Sequence, residues 1–600
     1  MTALQPAIVN ATAARRARWL AGLLVVVACL HNAAMSWQTW GDPIIDTGRE
    51  LEVPRQLADG LLLYRDVRYW YGPLAPYLHA LLYRIFGAHV SVLQAAGLTL
   101  VALTAWVQYR TARLVADRLV AAVAAALFCY VCAFGHYYVP NIFNFVLPYA
   151  FPAAYGALLA SASVFFLMRF ARSARPRDLL CSGGLLGLAA LCKLEMLVAA
   201  LAAHAAFGLL AIARRRAALR AFAPAYALAL AIPLAVYLPF QRQIGTRLWS
   251  DNLFIAGNVL DRGYLLRHSG LDNWRASAVE LALSAAAWGG CAFLALMASV
   301  IATALSRGAS DGDSAKQLSS AGPRAPALLA AAACLLLMSS VDALLTLRAA
   351  PLLLGAALLI RTARRLRRDA AAPDRSPEWL LLVFALAALA RIALRVQAAH
   401  YGFYLLVPGL TALSVVLVGR PRGPQPRWLS LRQVCSLAAL AGVAWGHYRL
   451  SADSRAVLLN GPGTNRVSGP RGTLPLPLPY LGTVNAAVSY LREHAAGKSV
   501  IVAPEGIGLA FLAGGRDAVG LHTFMPPDFC GSFDDAGVIR ALEASPPDFV
   551  VLNSRSTLEY GRRGLGIDYG IGVARWIGSH THRVTGFASA NFAVEIRAKN

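Results

Sequence analysis

Apolar runs long enough to cross the roughly 30 Å of bilayer hydrocarbon recur near 17–36, 91–109, 117–135, 147–168, 178–192, 194–213, 221–241, 277–305, 325–345, 349–361, 378–396, 401–419 and 429–447. They predict about 13 transmembrane helices. The sixth run closely follows the fifth and the tenth is short, so either pair also reads as re-entrant. Every second intervening segment carries the basic residues: Arg15, Arg16 and Arg18; Arg110, Arg113 and Arg118; Arg169, Arg172, Arg175 and Arg177; Arg214, Arg215, Arg216 and Arg220; Arg307, Lys316 and Arg324; Arg361, Arg364, Arg365, Arg367 and Arg368; Arg420, Arg422, Arg427 and Arg432. Positively charged loops stay cytoplasmic. The alternation therefore predicts an odd number of spans, a cytoplasmic N-terminus and an external C-terminus.

Between the first two runs lies a polar segment, residues 36–90, that no membrane crossing needs. It gathers Asp42, Asp46, Arg49, Glu50, Tyr64, Arg65, Asp66, Tyr69, Trp70 and Tyr71 at one external surface. Each charge inside hydrocarbon costs about 2.5–3.5 kcal/mol on insertion scales, so a chain this apolar places its charges under constraint. Function is sought on this loop.

Past the last run, Gly and Pro cluster through 460–479, which reads as a stiff extended linker over 451–479. The remainder, 480–600, changes period: an amphipathic helix from Thr483 to His494, a buried strand at Ser499–Ala503, a helix after Asp534, a strand at Asp548–Leu552 and a terminal hairpin over Arg583–Arg597. That order predicts a small α/β unit outside the membrane. Gly506, Gly508, Gly514 and Gly515 lack dinucleotide-binding spacing and read as turn glycines. No internal repeat of the kind found in many transporters is visible.

Of 600 residues, 58% are hydrophobic and 14% charged, against about a quarter charged in soluble domains. The net charge of +25 sits in short clusters between apolar runs rather than in one patch, which excludes a nucleic-acid partner. Eight of the nine cysteines fall in apolar runs, leaving Cys530 in the tail, so neither a disulfide framework nor a metal set follows. Cys129 and Cys132 have redox spacing but read as small apolar residues inside a span. The first run lacks a cleavage site and reads as an uncleaved anchor.

Asp46 lies about ten residues beyond the first span and suits a base that takes a proton from an acceptor hydroxyl or amine. Its other reading is the N-cap of a helix starting near Thr47, and Asp42 and Glu50 compete for the catalytic role. External cations run against orientation statistics: Lys193 with Glu195 in a tight turn, Arg348 after the ninth run, and Arg391 and Arg395 one helical turn apart. Arginine forks and lysine point charges both hold phosphate; ion pairing, Lys193 with Glu195 or Asp342, and snorkelling to headgroups are the structural alternatives. Asn141 and Asn144 read as cavity-lining. Tyr137, Tyr138, Tyr149 and Tyr404 read mainly as interfacial belt residues, with His400 and Tyr401 on the same face.

The sequence Asp46-Thr-Gly-Arg-Glu50, with Leu57-Ala-Asp-Gly60, Leu63-Tyr-Arg-Asp66, Tyr71-Gly-Pro73 and Arg84-Ile-Phe-Gly87, resembles bacterial membrane glycosyltransferases of the GT-C fold, in the family 39-like group of protein O-mannosyltransferases and aminoarabinose transferases. Asn141-Ile-Phe-Asn144, Pro148-Tyr149, Lys193-Leu-Glu195, Pro504-Glu505-Gly506, Pro547-Asp548 and Tyr560-Gly561 extend the resemblance over most of the chain. It implies polyprenyl-phosphate-linked sugar donors, a catalytic aspartate in the first external loop (Asp46), flanking surface helices, Lys193 in the cavity, and inversion at the sugar carbon. Many members carry an Asp-Glu pair where this chain has Asp46-Thr47, which leaves Glu50 as the candidate second acid.

The expected fold is thus a polytopic α-helical, GT-C-like membrane protein with a small C-terminal α/β extracytoplasmic domain, divided as 1–450, linker 451–479 and 480–600. The expected activity is sugar transfer from a polyprenyl-phosphate donor to a protein, lipid or glycan acceptor, at the periplasmic face of a bacterial inner membrane, with no cofactor and with no metal indicated by the residues, a divalent ion being left open. Candidate substrate-binding residues are Glu50, Tyr64, Arg65, Asp66, Tyr71, Asn141, Asn144, Lys193, Glu195, Arg348, Arg391, Arg395, His400 and Tyr401. The alternatives are a lipid or solute transporter with an external vestibule and a non-catalytic envelope scaffold.

Overall fold

In hydrocarbon every backbone N–H and C=O must be paired within its own segment, which forces long apolar runs into helices. The computed structural model describes residues 4–138, 141–213, 222–253, 262–308, 324–366, 377–419, 429–459, 465–529 and 531–600. Arg214–Arg216, Arg220, Lys316, Arg367, Arg368, Arg420, Arg422, Arg427, Cys530 and residues 460–464 lie outside the described residues.

Helices cover each predicted run. In chain order they are α1 (Leu4–Met35), α2 (Thr47–Ala58), α3 (Leu74–Phe86), α4 (Val90–Val115), α5 (Arg118–Phe128), α6 (Phe151–Ser173), α7 (Pro176–Ala189), α8 (Leu194–Ala213), α9 (Ala223–Ile244), α10 (Arg262–Ser269), α11 (Trp274–Gly308), α12 (Arg324–Ser340), α13 (Ala350–Leu366), α14 (Glu378–Leu389), α15 (Leu406–Val418) and α16 (Leu431–Leu459). Among the described residues five stretches, Val90–Val115, Phe151–Ser173, Leu194–Ile212, Ala223–Ile244 and Leu266–Leu305, are long and apolar enough to cross a membrane by length and composition. The fifth and sixth predicted runs form separate helices, α7 and α8, joined by a tight turn. Residues 36–90 build α2 and α3, both outside the long apolar helices.

The expected linker is corrected. Helix α16 continues to Leu459, and the chain then forms a hairpin, β1 (Arg466–Gly469) with β2 (Gly472–Pro475), instead of an extended polyproline rod. Val467 and Leu474 pair across it and are both fully buried, so burial of apolar side chains outweighs the local preference of the prolines.

The tail follows as α17 (Leu478–His494), β3 (Ser499–Ala503), α18 (Ile507–Ala513), β4 (Arg516–Asp517), α19 (Asp535–Ala544), β5 (Phe549–Asn553), α20 (Ile571–His580), β6 (Thr581–Ala588) and β7 (Ala593–Lys599). Its sheet has the order β4-β3-β5-β7-β6, with β3 parallel to β4 and β5 and with β7 antiparallel to β5 and β6. Asp534 starts α19 as the sequence leads one to expect, accepting the Gly537 N–H at 2.7 Å.

Helix α18 packs on α2, so the tail and the first loop lie on the same side of the helical bundle. A Cβ on Gly48 would overlap the Gly508 backbone, and one on Gly508 would overlap the Pro43 carbonyl. Gly508 is therefore a close-approach residue inside a helix, not the turn glycine expected; Gly506, at φ +121°, does occupy a turn. Polar bonds border the contact: Glu52 accepts the Asp517 N–H at 3.1 Å, and Gln56 donates to Asp517 at 3.0 Å.

Candidate active site

The first loop reaches the site through a short turn. Asp42 Oδ1 accepts the N–H groups of Ile44 (2.7 Å) and Ile45 (3.2 Å), and the Asp42 N–H donates to the Thr47 hydroxyl at 2.9 Å. This use of Asp42 holds the loop, and burial raises its carboxyl to about 6. Asp46 then precedes α2 with φ +46° and ψ −48°, and its side chain makes no cap hydrogen bond. Asp46 thus holds the N-cap position expected before Thr47, but its carboxylate does not cap the helix. A non-glycine residue at such a φ stores about 1–3 kcal/mol and persists where its surroundings over-determine it.

The Asp46 carboxylate meets two groups. Arg49 Nη2 stands 3.1 Å from Oδ1, and the Tyr401 hydroxyl stands 3.5 Å from Oδ2. Arg49 also donates to the Tyr149 carbonyl at 2.7 Å and lies over the Tyr71 ring, 5.6 Å from its centroid. Glu50 turns inward, only 3% exposed: it accepts from the Tyr69 hydroxyl at 3.2 Å and from the Phe151 N–H at 2.9 Å, with Arg49 Nε at 3.4 Å. Burial raises its carboxyl and Arg49 opposes that. Glu50 anchors Arg49 rather than facing outward as a second acid.

Lys193 comes from the α7–α8 turn, which the first loop clasps through Gly72 N–H to the Cys192 carbonyl (3.1 Å) and Leu74 N–H to the Leu191 carbonyl (3.1 Å). Its ammonium donates to the Tyr149 hydroxyl at 2.7 Å, sits 3.7 Å from Glu195 and is enclosed by the rings of Tyr71 (5.0 Å), Tyr149 (4.9 Å) and Tyr404 (5.3 Å). Aromatic faces stabilise a cation with little hydration. Burial nonetheless lowers Lys193 to about 8, against the pull of Glu195 and with the push of Arg391 and Arg49. Arg391 closes the far side, paired with Glu195 and 3.4 Å from the Tyr404 hydroxyl. The Tyr149 hydroxyl donates to the Tyr401 carbonyl at 2.7 Å. Tyr149 thus holds Lys193 with its hydroxyl and Arg49, the partner of Asp46, with its carbonyl, while Tyr401 is bonded by Tyr149 at its backbone carbonyl and meets Asp46 with its hydroxyl.

Several expected site residues are placed elsewhere by the fold. Arg348 spends its fork on Glu280 (2.8 Å), the Leu394 carbonyl (2.8 Å) and Gln397 (3.1 Å). The helix carrying Arg391 ends there, so Arg395 does not share its helical face and donates to the Arg267 carbonyl at 2.7 Å. Tyr64 bonds the Tyr71 carbonyl at 2.6 Å, while Asp66 accepts the Leu62 N–H at 2.8 Å and pairs with exposed Arg65. These three shape the turn that presents Tyr71. Asn141 and Asn144 bond the backbone around them: Asn141 holds the Thr39 carbonyl (3.0 Å) and the Gly41 N–H (2.9 Å), and Asn144 caps Val146 and Leu147 (2.9 and 2.8 Å). His400 Nδ1 accepts the Gly402 N–H at 3.0 Å and its ring lies 5.1 Å from that of His268.

The tail supplies what the sequence reading missed. Glu505 Oε1 accepts the Asp46 N–H at 3.0 Å, and Arg555 Nε stands 3.4 Å from Glu505 Oε2. The motif Pro504-Glu505-Gly506 marked the position, but nothing in its spacing ties it to a loop 459 residues away. Among the described residues no group of three or more His, Cys, Asp or Glu side chains converges as a metal site. A cavity of about 310 Å³ opens elsewhere, on the tail, between Pro547, Trp576 and Lys599.

Residues 71–240, which carry Tyr71, Tyr149, Lys193 and Glu195, match the family model described as dolichyl-phosphate-mannose-protein mannosyltransferase. The likeness to that mannosyltransferase family covers this segment alone. No curated protein matches the chain. Among solved structures, the Archaeoglobus fulgidus oligosaccharyltransferase in complex with zinc and sulfate is 15% identical with a TM-score of 0.48, over 88% of this chain and 68% of that one. ArnT from Cupriavidus metallidurans bound to undecaprenyl phosphate is 14% identical with a TM-score of 0.38, over 96% and 97%. Likenesses this distant place no residue of this chain.

Proposed function

We propose that this protein is an integral membrane glycosyltransferase that moves a sugar from a polyprenyl-phosphate donor to a hydroxyl or amine of an extracytoplasmic protein, lipid or glycan. One observation carries the reading: an uncapped first-loop carboxylate, Asp46, is paired with Arg49, which donates to the carbonyl of Tyr149, the residue whose hydroxyl holds the caged Lys193 ammonium. The donor class is supported by the family match over residues 71–240.

In this reading Asp46 takes the proton of the acceptor as its oxygen or nitrogen attacks the anomeric carbon. The bond from that carbon to the phosphate oxygen breaks, and the polyprenyl phosphate leaves towards Lys193 and Arg391, which offset its charge. Attack opposite the leaving group inverts the sugar carbon. Arg49 holds the carboxylate from the side away from Tyr401. Of the four external cations expected to hold phosphate, Lys193 and Arg391 keep the role; Arg348 and Arg395 serve the scaffold.

The test is transfer by Asp46→Asn in purified enzyme supplied with donor and acceptor. Turnover is expected to fall about 10²- to 10⁴-fold, the range for a lost general base, with donor binding retained. Near-normal turnover would overturn the assignment. Movement of the lipid-linked sugar across the bilayer without a glycosylated product by mass spectrometry would favour transport instead.

A further inference from the structure

Two parallel strands of the tail end side by side, and the residues just past their C-terminal ends face the first loop. Glu505 follows β3, while Asn553 ends β5 and Arg555 lies two residues beyond it; the strands pair from Val500 with Phe549 to Ala503 with Leu552. Asn553 donates to the Glu505 carbonyl at 2.6 Å and accepts the Arg555 N–H at 3.0 Å. Arg555 reaches back to Glu505 and also holds Glu559 at 2.7 Å. The Glu505 side chain, 9% exposed, is thereby fixed at both its backbone and its carboxyl.

The partner of this fixed carboxyl is the backbone of Asp46. At φ +46°, and with no cap bond from its own side chain, Asp46 lacks the usual local support for a helix start. Its N–H is instead held by Glu505 Oε1. The close approach at Gly48 and Gly508 brings α18 near enough for this bond to form.

We infer that Glu505 is a positioning residue of the transfer reaction: the tail supplies the acceptor that fixes the backbone of Asp46, and so aims the base. The inference rests on the glycosyl-transfer reading and deepens it. The tail is then part of the active site and not an appended module. Burial and the neighbouring Asp46 raise the Glu505 carboxyl to about 8, with Arg555 pulling the other way. The bond to the Asp46 N–H needs only an acceptor oxygen at that place, which a glutamine side chain supplies.

Glu505→Gln, Glu505→Ala and Glu505→Met are compared in the full-length enzyme by transfer kinetics and by hydrogen–deuterium exchange of the segment 42–50. Glu505→Met keeps the side-chain volume should the alanine variant fail to fold. The expected result is a kcat loss of about 100-fold in the alanine and methionine variants, the scale of a small misplacement of a reacting group. Donor KM stays within about threefold, and exchange of the Asp46 amide quickens. Glu505→Gln is expected to keep both activity and amide protection. Alanine and methionine variants as active as the unaltered enzyme would overturn the inference. So would a glutamine variant that loses activity while its Asp46 amide stays protected, since the carboxyl itself would then be required. Absence of any transfer by the unaltered enzyme would sink the glycosyltransferase reading, whereas the exchange comparison would still decide whether Glu505 holds Asp46.

Discussion

Burial alters the chemistry of Lys193. Its value drops from 10.5 to about 8 because burial disfavours the ammonium more than Glu195 favours it. The cation proposed to meet phosphate loses its proton as pH rises through about 8 rather than through 10.5. The kcat/KM for donor is therefore expected to fall above about pH 8, since that ratio reports the free enzyme. Lys193→Met should be weak at every pH and lack the step, and Lys193→Arg should shift the step upward. Steady-state kinetics between pH 6.5 and 9.5, about three pH units, would show it. Asp46 offers a second residue-level test, because two variants remove the same carboxylate and differ in the backbone they tolerate. At φ +46°, Asp46→Gly should be more stable than Asp46→Ala by about 1 kcal/mol, with both inactive; equal unfolding midpoints would show that the backbone there carries no strain.

At the scale of elements, the contact between α2 and α18 decides whether the tail can complete the site. Gly48 and Gly508 leave no room for a side chain between the two helices, and a branched residue must push them apart. Gly508→Val is expected to lower transfer by about tenfold or more, as a misaligned site does, and to expose the tail to limited proteolysis. A valine variant with unaltered transfer and protease resistance would show that the tail need not dock. The α7–α8 turn plays the corresponding part for Lys193, since its bonds to Gly72 and Leu74 fix the ammonium against Tyr71. Aromatic rings read from the sequence as interfacial belt, Tyr149 and Tyr404, serve here as walls of a cation cage.

For the whole molecule, the first loop and the tail must share one side of the membrane, because they form a single packed unit. Single cysteines placed at exposed Arg65 and exposed Arg175 test the expected sidedness. Read against the unaltered chain, an impermeant thiol reagent added to intact cells should label position 65, and position 175 only after permeabilisation. Labelling of both without permeabilisation would break the arginine alternation and the orientation built on it.

The order of helices, the long polar first loop and the strands of the tail were legible in the sequence because each follows from local periodicity: lipid demands helices, and alternation or short apolar runs mark strands. Asp46, Lys193, Glu195 and Arg391 were legible as candidates because charge is rare in so apolar a chain. The hairpin at 466–475 was not, since its strands are fixed by burial against neighbours remote in sequence. Nor was the sorting of the cations: Arg348 and Arg391 look alike along the chain, and only their partners, Glu280 for one and Glu195 beside Lys193 for the other, set them apart in the proposed site. Glu505 is the clearest case. Its bond to the Asp46 backbone spans 459 residues, and a contact of that range is set by how the tail docks, a matter of tertiary packing that no local pattern records.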